Sequence, residues 1–136
     1  MRMIKWQNGT VITPDQTKLP LQEVTLEIKT VEQMAEAIKT LRVRGAPLLG
    51  AAAAFGVAIA AYNSKAKTAA QFYREIEAAG NLIKRQRPTA VNLFWGVDRV
   101  LNKAKAAQGS VGQLKAVVVE EAQAIADEDA QQNHAI

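Results

Sequence analysis

From Gly45 to Ser64 the chain carries no charged residue. A run of that length reaches the roughly 20 residues a bilayer crossing needs, so it reads either as a membrane span or as a helix buried on every side within a protein. Alanine is the commonest residue of the run, with Gly50 and Gly56 inside it and Asn63 and Ser64 at its end. Alanine contributes far less transfer free energy than leucine or isoleucine, which leaves insertion poorly driven. Small side chains instead let neighbouring helices approach the backbone closely. The run therefore reads as the central helix of a bundle, opening at Pro47, and no membrane partner is expected.

The rest of the chain supplies the surroundings such a helix needs. Val31, Met34, Ala35, Ile38 and Leu41 share one helical face, and Thr30 with Gln33 is a helix-start signal in which each side chain satisfies a backbone N–H of the other residue. The same spacing recurs at Thr68 with Gln71, before Ala69, Phe72, Tyr73, Ile76 and Ile83. It recurs again at Ser110 with Gln113, before Leu114, Val117, Val118, Ala122 and Ile125. A further helix runs from about Thr89, read as its cap, toward Ala106, with Leu93, Val97, Leu101 and Ala104 at helical spacing. The short connections 63–67 and 107–109 favour antiparallel neighbours.

The amino-terminal segment changes period from helical to alternating. Ile4 and Trp6 precede Asn8-Gly9, and Val11 and Ile12 follow, as in a tight hairpin. Pro14 and Pro20 punctuate a loop, after which Val24, Leu26 and Ile28 alternate with polar residues as a third strand would. The predicted fold is α+β but mainly α: a small antiparallel β-sheet within residues 1–29, then a bundle of about five helices within residues 30–136.

Composition narrows the function. With 136 residues, 49% hydrophobic and 22% charged, the chain is a globular one with a single core rather than a disordered one. It has no cysteine, which excludes disulfides, thiolate nucleophiles and cysteine-ligated metal from these residues. The amino terminus lacks a secretory pattern, so a cytoplasmic location is expected. The net charge of +4 is scattered among acids, with Lys84, Arg85 and Arg87 the densest group, and no nucleic-acid partner is expected. His134 stands alone without a second histidine or a cysteine, so no metal site is expected. Asp98 with Arg99, and the run Asp127, Glu128 and Asp129, read as capping or solvated charges, and no catalytic residue is assigned.

Two segments suit an anion. In Arg42-Val43-Arg44-Gly45-Ala46-Pro47-Leu48, two arginines and a glycine lead straight into a helix. First-turn N–H groups lack intrahelical partners, the helix dipole adds positive potential, and Arg44 can clamp a phosphate from the side. The plain alternative is that Gly45 only permits a sharp turn and the arginines are solvated. In Arg87-Pro88-Thr89-Ala90-Val91-Asn92-Leu93-Phe94-Trp95, a basic residue again precedes a helix start. Here either Arg87 reaches the same anion as Arg44, or it sits exposed at a chain reversal with Trp95 packed in the core.

Together with Asp15-Gln16-Thr17 and Leu19-Pro20, these segments resemble the methylthioribose-1-phosphate isomerase family, in order and spacing. Glu128-Asp129, Asn133 and Ile136 resemble the helix end that precedes that family's crossover into its second domain. The resemblance spans nearly the whole chain and implies its amino-terminal part. It implies interconversion of methylthioribose 1-phosphate and methylthioribulose 1-phosphate in methionine salvage, with no cofactor and with a homodimeric or other homo-oligomeric assembly. Position by position, Arg44, Gly45 and Ala46 match the family's phosphate-binding segment and Arg87 matches a second substrate-binding arginine. A small-molecule sugar phosphate is the implied partner.

The resemblance also implies a catalytic cysteine and aspartate in a Rossmann-like carboxy-terminal domain, and these 136 residues include neither that domain nor any cysteine. Moving hydrogen between adjacent carbons needs a positioned acid–base group or a stabilised charge, so the isolated chain is expected to be inactive. Rival readings are a ribose 1,5-bisphosphate isomerase, a regulatory subunit of translation initiation factor 2B, or a non-enzymatic interaction module that dimerises through an apolar face.

Overall fold

The computed structural model describes residues 4–14, 25–40 and 46–134. Three strands, β1 (Lys5–Gln7), β2 (Thr10–Pro14) and β3 (Thr25–Ile28), precede five helices. These are α1 (Val31–Lys39), α2 (Ala46–Asn63), α3 (Ala69–Gln86), α4 (Val91–Ala106) and α5 (Val111–His134). The α+β reading, mainly α with a small antiparallel sheet, is borne out.

Asn8 and Gly9 take φ angles of 48° and 87°, the left-handed pair that closes a two-residue hairpin. That turn sets the register Lys5↔Ile12, Trp6↔Val11 and Gln7↔Thr10. β3 adds antiparallel to β2 with Val11 opposite Ile28, giving the order β1-β2-β3. Alternation then sorts the faces: Leu26 and Ile28 turn inward while Thr25 and Glu27 are exposed. Trp6 stacks on Phe55 of α2 with ring centroids 5.7 Å apart, which docks the hairpin on the central helix.

α2 is central as its composition requires. Every residue from Ala51 to Ile59 is buried, and Ile4, Val11 and Ile28 of the sheet join the same apolar core as α2 and the other helices. Among the described residues no helix is long and apolar enough to cross a membrane. The glycines of α2 explain the close packing. A Cβ on Gly56 would fall on the Ile83 side chain, and a Cβ on Gly96 of α4 would fall on the Gly50 carbonyl. Backbone meets backbone there, so α2 and α4 touch with almost nothing between them.

Inter-helix contacts fix the directions. Gly80 of α3 lies against Val57 of α2, and the Ser64 hydroxyl donates to Glu75 at 3.1 Å, so α3 runs antiparallel to α2. The Tyr73 hydroxyl donates to the Ala104 carbonyl at 3.1 Å and Lys84 pairs with Asp98 at 2.6 Å, so α4 runs antiparallel to α3. Lys115 donates to the Ser64 carbonyl at 2.6 Å and Arg99 pairs with Glu121, so α5 runs antiparallel to both α2 and α4. In consequence α2 and α4 start at one end of the bundle, and α3 and α5 start at the other. α1 also starts at that second end, where Asn63 donates to the Lys29 carbonyl at 3.2 Å.

Candidate functional site

The two anion-suited segments lead into the two helices that share an end. Gly50, one turn or roughly 6 Å into α2, lies against the Asn92 carbonyl and the Trp95 ring, each 3.4 Å from where its Cβ would be. Asn92 is in the first turn of α4. The starts of α2 and α4 are therefore neighbours, and their dipoles add positive potential at the same place. Neither helix has an acidic residue in its first turn.

Of the sequence-derived site residues, Ala46 is the first residue of α2, whereas Arg42, Arg44 and Gly45 lie outside the described residues, as do Leu41, Val24, Pro20, Asp15-Gln16-Thr17, Leu19 and Ile136. Arg87 is the residue after α3, half-buried, with φ −144° and ψ 80°. The following Pro88 excludes helical backbone at Arg87 and so ends α3 there. Among the described residues the Arg87 side chain makes no ion pair.

The start of α4 corrects the expectation at Thr89. The Ala90 N–H donates to the Arg87 carbonyl at 3.0 Å, closing a turn with Pro88 in its second position, where a fixed φ is favoured. That turn takes up Pro88 and Thr89, so the helix begins at Val91 with Ala90 as its cap and no side-chain hydrogen bond. An alanine has no side-chain oxygen to offer, and among the described residues no side chain caps the first-turn N–H groups of α4.

Trp95 does not take the core position that one of the two open readings gave it, and Arg99 has partners on another helix. Trp95 is 49% exposed rather than packed in the core, and Val91, one turn earlier, is 78% exposed. Arg99 and Asp98 are paired charges, with Asp98 at an exposed position. Asp98 pairs with Lys84, while Arg99 donates through Nε to Glu121 at 2.6 Å and through Nη1 and Nη2 to the two oxygens of Glu128 at 2.8 and 2.5 Å. Hydrogen bonding to Glu128, then to Glu121, raises the guanidinium pKa above its ordinary value against the opposing effect of burial. The same bonds from Arg99 hold the Glu128 carboxyl below its usual range. Arg99 also lies over the Trp95 ring, 5.4 Å from its centroid. Period and spacing hold no signal for these partners, because α4 and α5 meet only in three dimensions.

A groove of about 450 Å³ between α1, α2 and α3 lies elsewhere. Glu32, Asn63, Ser64 and Glu75 line it. Two carboxylates make it unsuited to phosphate. Among the described residues no group of three or more His, Asp or Glu is placed to hold a metal ion. His134 is the last residue of α5, and its side chain lies outside the description.

Residues 42–136 match the model of the Initiation factor 2 subunit family. The chain belongs to that family. A putative methylthioribose-1-phosphate isomerase of Pyrococcus furiosus is 45% identical over 133 residues, covering 97% of this chain and 37% of that protein. A 5-deoxyribose 1-phosphate isomerase of Moorella thermoacetica is 47% identical over 127 residues, covering 93% of this chain and 36% of that protein. The crystal structure of a translation initiation factor eIF-2B delta subunit from A. fulgidus superposes with a TM-score of 0.89 at 41% identity, covering 96% of this chain and 38% of that one. The resemblance to the amino-terminal part of methylthioribose-1-phosphate isomerases is thus borne out, and the chain spans little more than a third of the length of the relatives it matches.

Proposed function

We propose that this chain is the amino-terminal domain, residues 1–29 and 30–136 together, of an aldose–ketose isomerase. The substrate is methylthioribose 1-phosphate, converted to methylthioribulose 1-phosphate in methionine salvage. The observation that carries the reading is the pairing of two helix starts, α2 and α4, at one end of the bundle, with Arg87 at the head of the turn that leads into α4. Arg44, Gly45 and Ala46 grip the phosphate at the start of α2, and Arg87 reaches it from the turn before α4. The names carried by relatives 45 and 47% identical support a sugar phosphate over a nucleotide.

These residues bind and orient; they do not transfer hydrogen. Converting the aldose to the ketose removes hydrogen from one carbon and delivers it to its neighbour, a step that needs acid–base or charge-stabilising groups close to both carbons. Within the 136 residues no cysteine is present, and neither helix start has an acidic residue in its first turn. The resemblance implies no cofactor, and on this reading the isolated chain binds without turnover. It is a cytoplasmic protein that self-associates, and light scattering at high concentration that finds only monomer contradicts the last point.

The test is a calorimetric titration with methylthioribose 1-phosphate, run beside Arg44→Ala and Arg87→Ala variants, with ketose assayed in the same samples. Saturable binding that weakens at least tenfold in each variant, without product, is the expected result, since a charge-assisted contact is worth about 1.5–3 kcal/mol. Product formation overturns the inactive reading. A second reading, a regulatory subunit of an initiation factor, is favoured by the family description and by the eIF-2B delta subunit structure. Binding of a nucleotide or of a protein partner in place of the sugar phosphate selects it.

A further inference from the structure

We infer that Arg99 is a positioning residue for the candidate anion site, holding the starts of α2 and α4 in place through the Trp95 ring; the inference rests on the phosphate reading above. Arg99 lies one helical turn after Trp95, on the same face of α4. Its guanidinium donates from three nitrogens to two carboxylates of α5, through Nε to Glu121 and through Nη1 and Nη2 to Glu128. Glu121 and Glu128 are two turns apart on one face of α5. Three bonds from one rigid plane fix its orientation. Two other ion pairs of the bundle, Lys84 with Asp98 and Lys105 with Glu77, are single contacts of flexible ammonium groups and fix none.

A fixed guanidinium holds the ring that it covers. Arg99 lies over Trp95, and the Cε3–Cζ3 edge of that ring rests against Gly50 of α2, beside the Asn92 carbonyl. A line of contacts therefore runs from α5 through Arg99 and Trp95 to α2, and it ends about one turn from both helix starts. The contact of Gly96 with the Gly50 backbone sets how closely α2 and α4 approach. The ring beside that contact sets how the helices turn about it, and so the spacing of their first-turn N–H groups. An anion shared by two helix starts depends on that spacing, because a binding constellation tolerates displacements of only about 0.5 Å. Arg99 and Glu121 are largely withdrawn from solvent, where a charge cluster adds little net stability for its desolvation; what this one supplies is geometry.

The test uses the 136-residue chain carrying Trp6→Phe, which leaves Trp95 as its one tryptophan. Arg99→Leu is expected to lower the fluorescence anisotropy of Trp95 and to weaken methylthioribose 1-phosphate binding about fivefold by calorimetry, the size of effect usual for a residue that acts through a neighbour. Glu128→Gln, which leaves the bond from Arg99 to Glu121 in place, carries the test if circular dichroism finds Arg99→Leu unfolded. It is expected to weaken binding about twofold, the lower end of the same range. In a Trp95→Ala background, Arg99→Leu is expected to change binding by less than about twofold while still lowering the urea midpoint, because its cost in stability comes from Glu121. Unchanged binding in both Arg99→Leu and Glu128→Gln, or an Arg99 effect as large without Trp95 as with it, overturns the inference and leaves the phosphate grip standing. No binding of the sugar phosphate by the parent chain overturns the grip and the inference with it.

Discussion

The two ends of the bundle are built differently. At one end α1, α3 and α5 begin beneath a hydroxyl: Gln33 donates its N–H to Thr30 at 3.1 Å, Gln71 to Thr68 at 3.2 Å and Gln113 to Ser110 at 3.3 Å. At Thr30 and Ser110 the glutamine side chain also returns to accept from the cap backbone. At the other end α4 begins at Ala90 without a side-chain cap. Caps consume the free donors of a helix start and stabilise it; bare starts keep those donors for a ligand. The difference separates the end whose helix donors are taken up by caps from the end suited to an anion.

The strongest way to break this contrast is at the contact that holds the starts of α2 and α4 side by side. Gly96→Ala places a methyl group on the Gly50 carbonyl, where only backbone can yield. A loss of about 3 kcal/mol in urea unfolding is expected, at the upper end of overpacking costs. A loss under about 1 kcal/mol means that α2 and α4 are not pressed together.

Next in size is the clamp behind the bare end. Arg99→Leu strands Glu121, whose side chain is only 16% exposed, and is expected to cost about 2 kcal/mol. Its pH signature is separable. Arg99 lowers the Glu128 pKa from its ordinary 4.5, so this pair adds stability above that value and loses it as pH falls through the lower folded value. Urea midpoints at neutral pH and near pH 3 should therefore converge more in Glu128→Gln than in the parent chain. Smaller still, Thr30→Ala at the capped end is expected to cost about 1 kcal/mol and to leave ligand binding unchanged, which sharpens the division between the ends.

Local chemistry was legible before any coordinates. Asn8-Gly9 announces its own hairpin because few other pairs tolerate two positive φ angles, and each Ser or Thr followed three residues later by Gln marks a helix start through contacts within one turn. The alanine run of α2 announces burial on all sides because no face of it is polar. What stayed hidden depends on residues far apart in sequence. Trp95 reads as core by residue type but is half exposed, since Gly50 and Gly96 bring α2 so close that the ring is displaced to the edge of the contact. Arg99 finds its carboxylates on a helix that starts twelve residues later. Thr89 reads as a cap only until Pro88 draws it into a turn. For the candidate site, the sequence indicates two basic approaches to two helix starts, and only the packing of α2 on α4 makes them one place.

The most direct measurement gives the bare end the cap it lacks. Ala90→Asp adds an acceptor for the first-turn N–H groups of α4 and a negative charge against its dipole, and is expected to raise stability by about 0.5–1 kcal/mol. If this end holds the phosphate, the same substitution should weaken binding of methylthioribose 1-phosphate at least tenfold by calorimetry. A stabilised variant that binds the sugar phosphate as tightly as the parent chain contradicts the assignment of the bare end to the ligand.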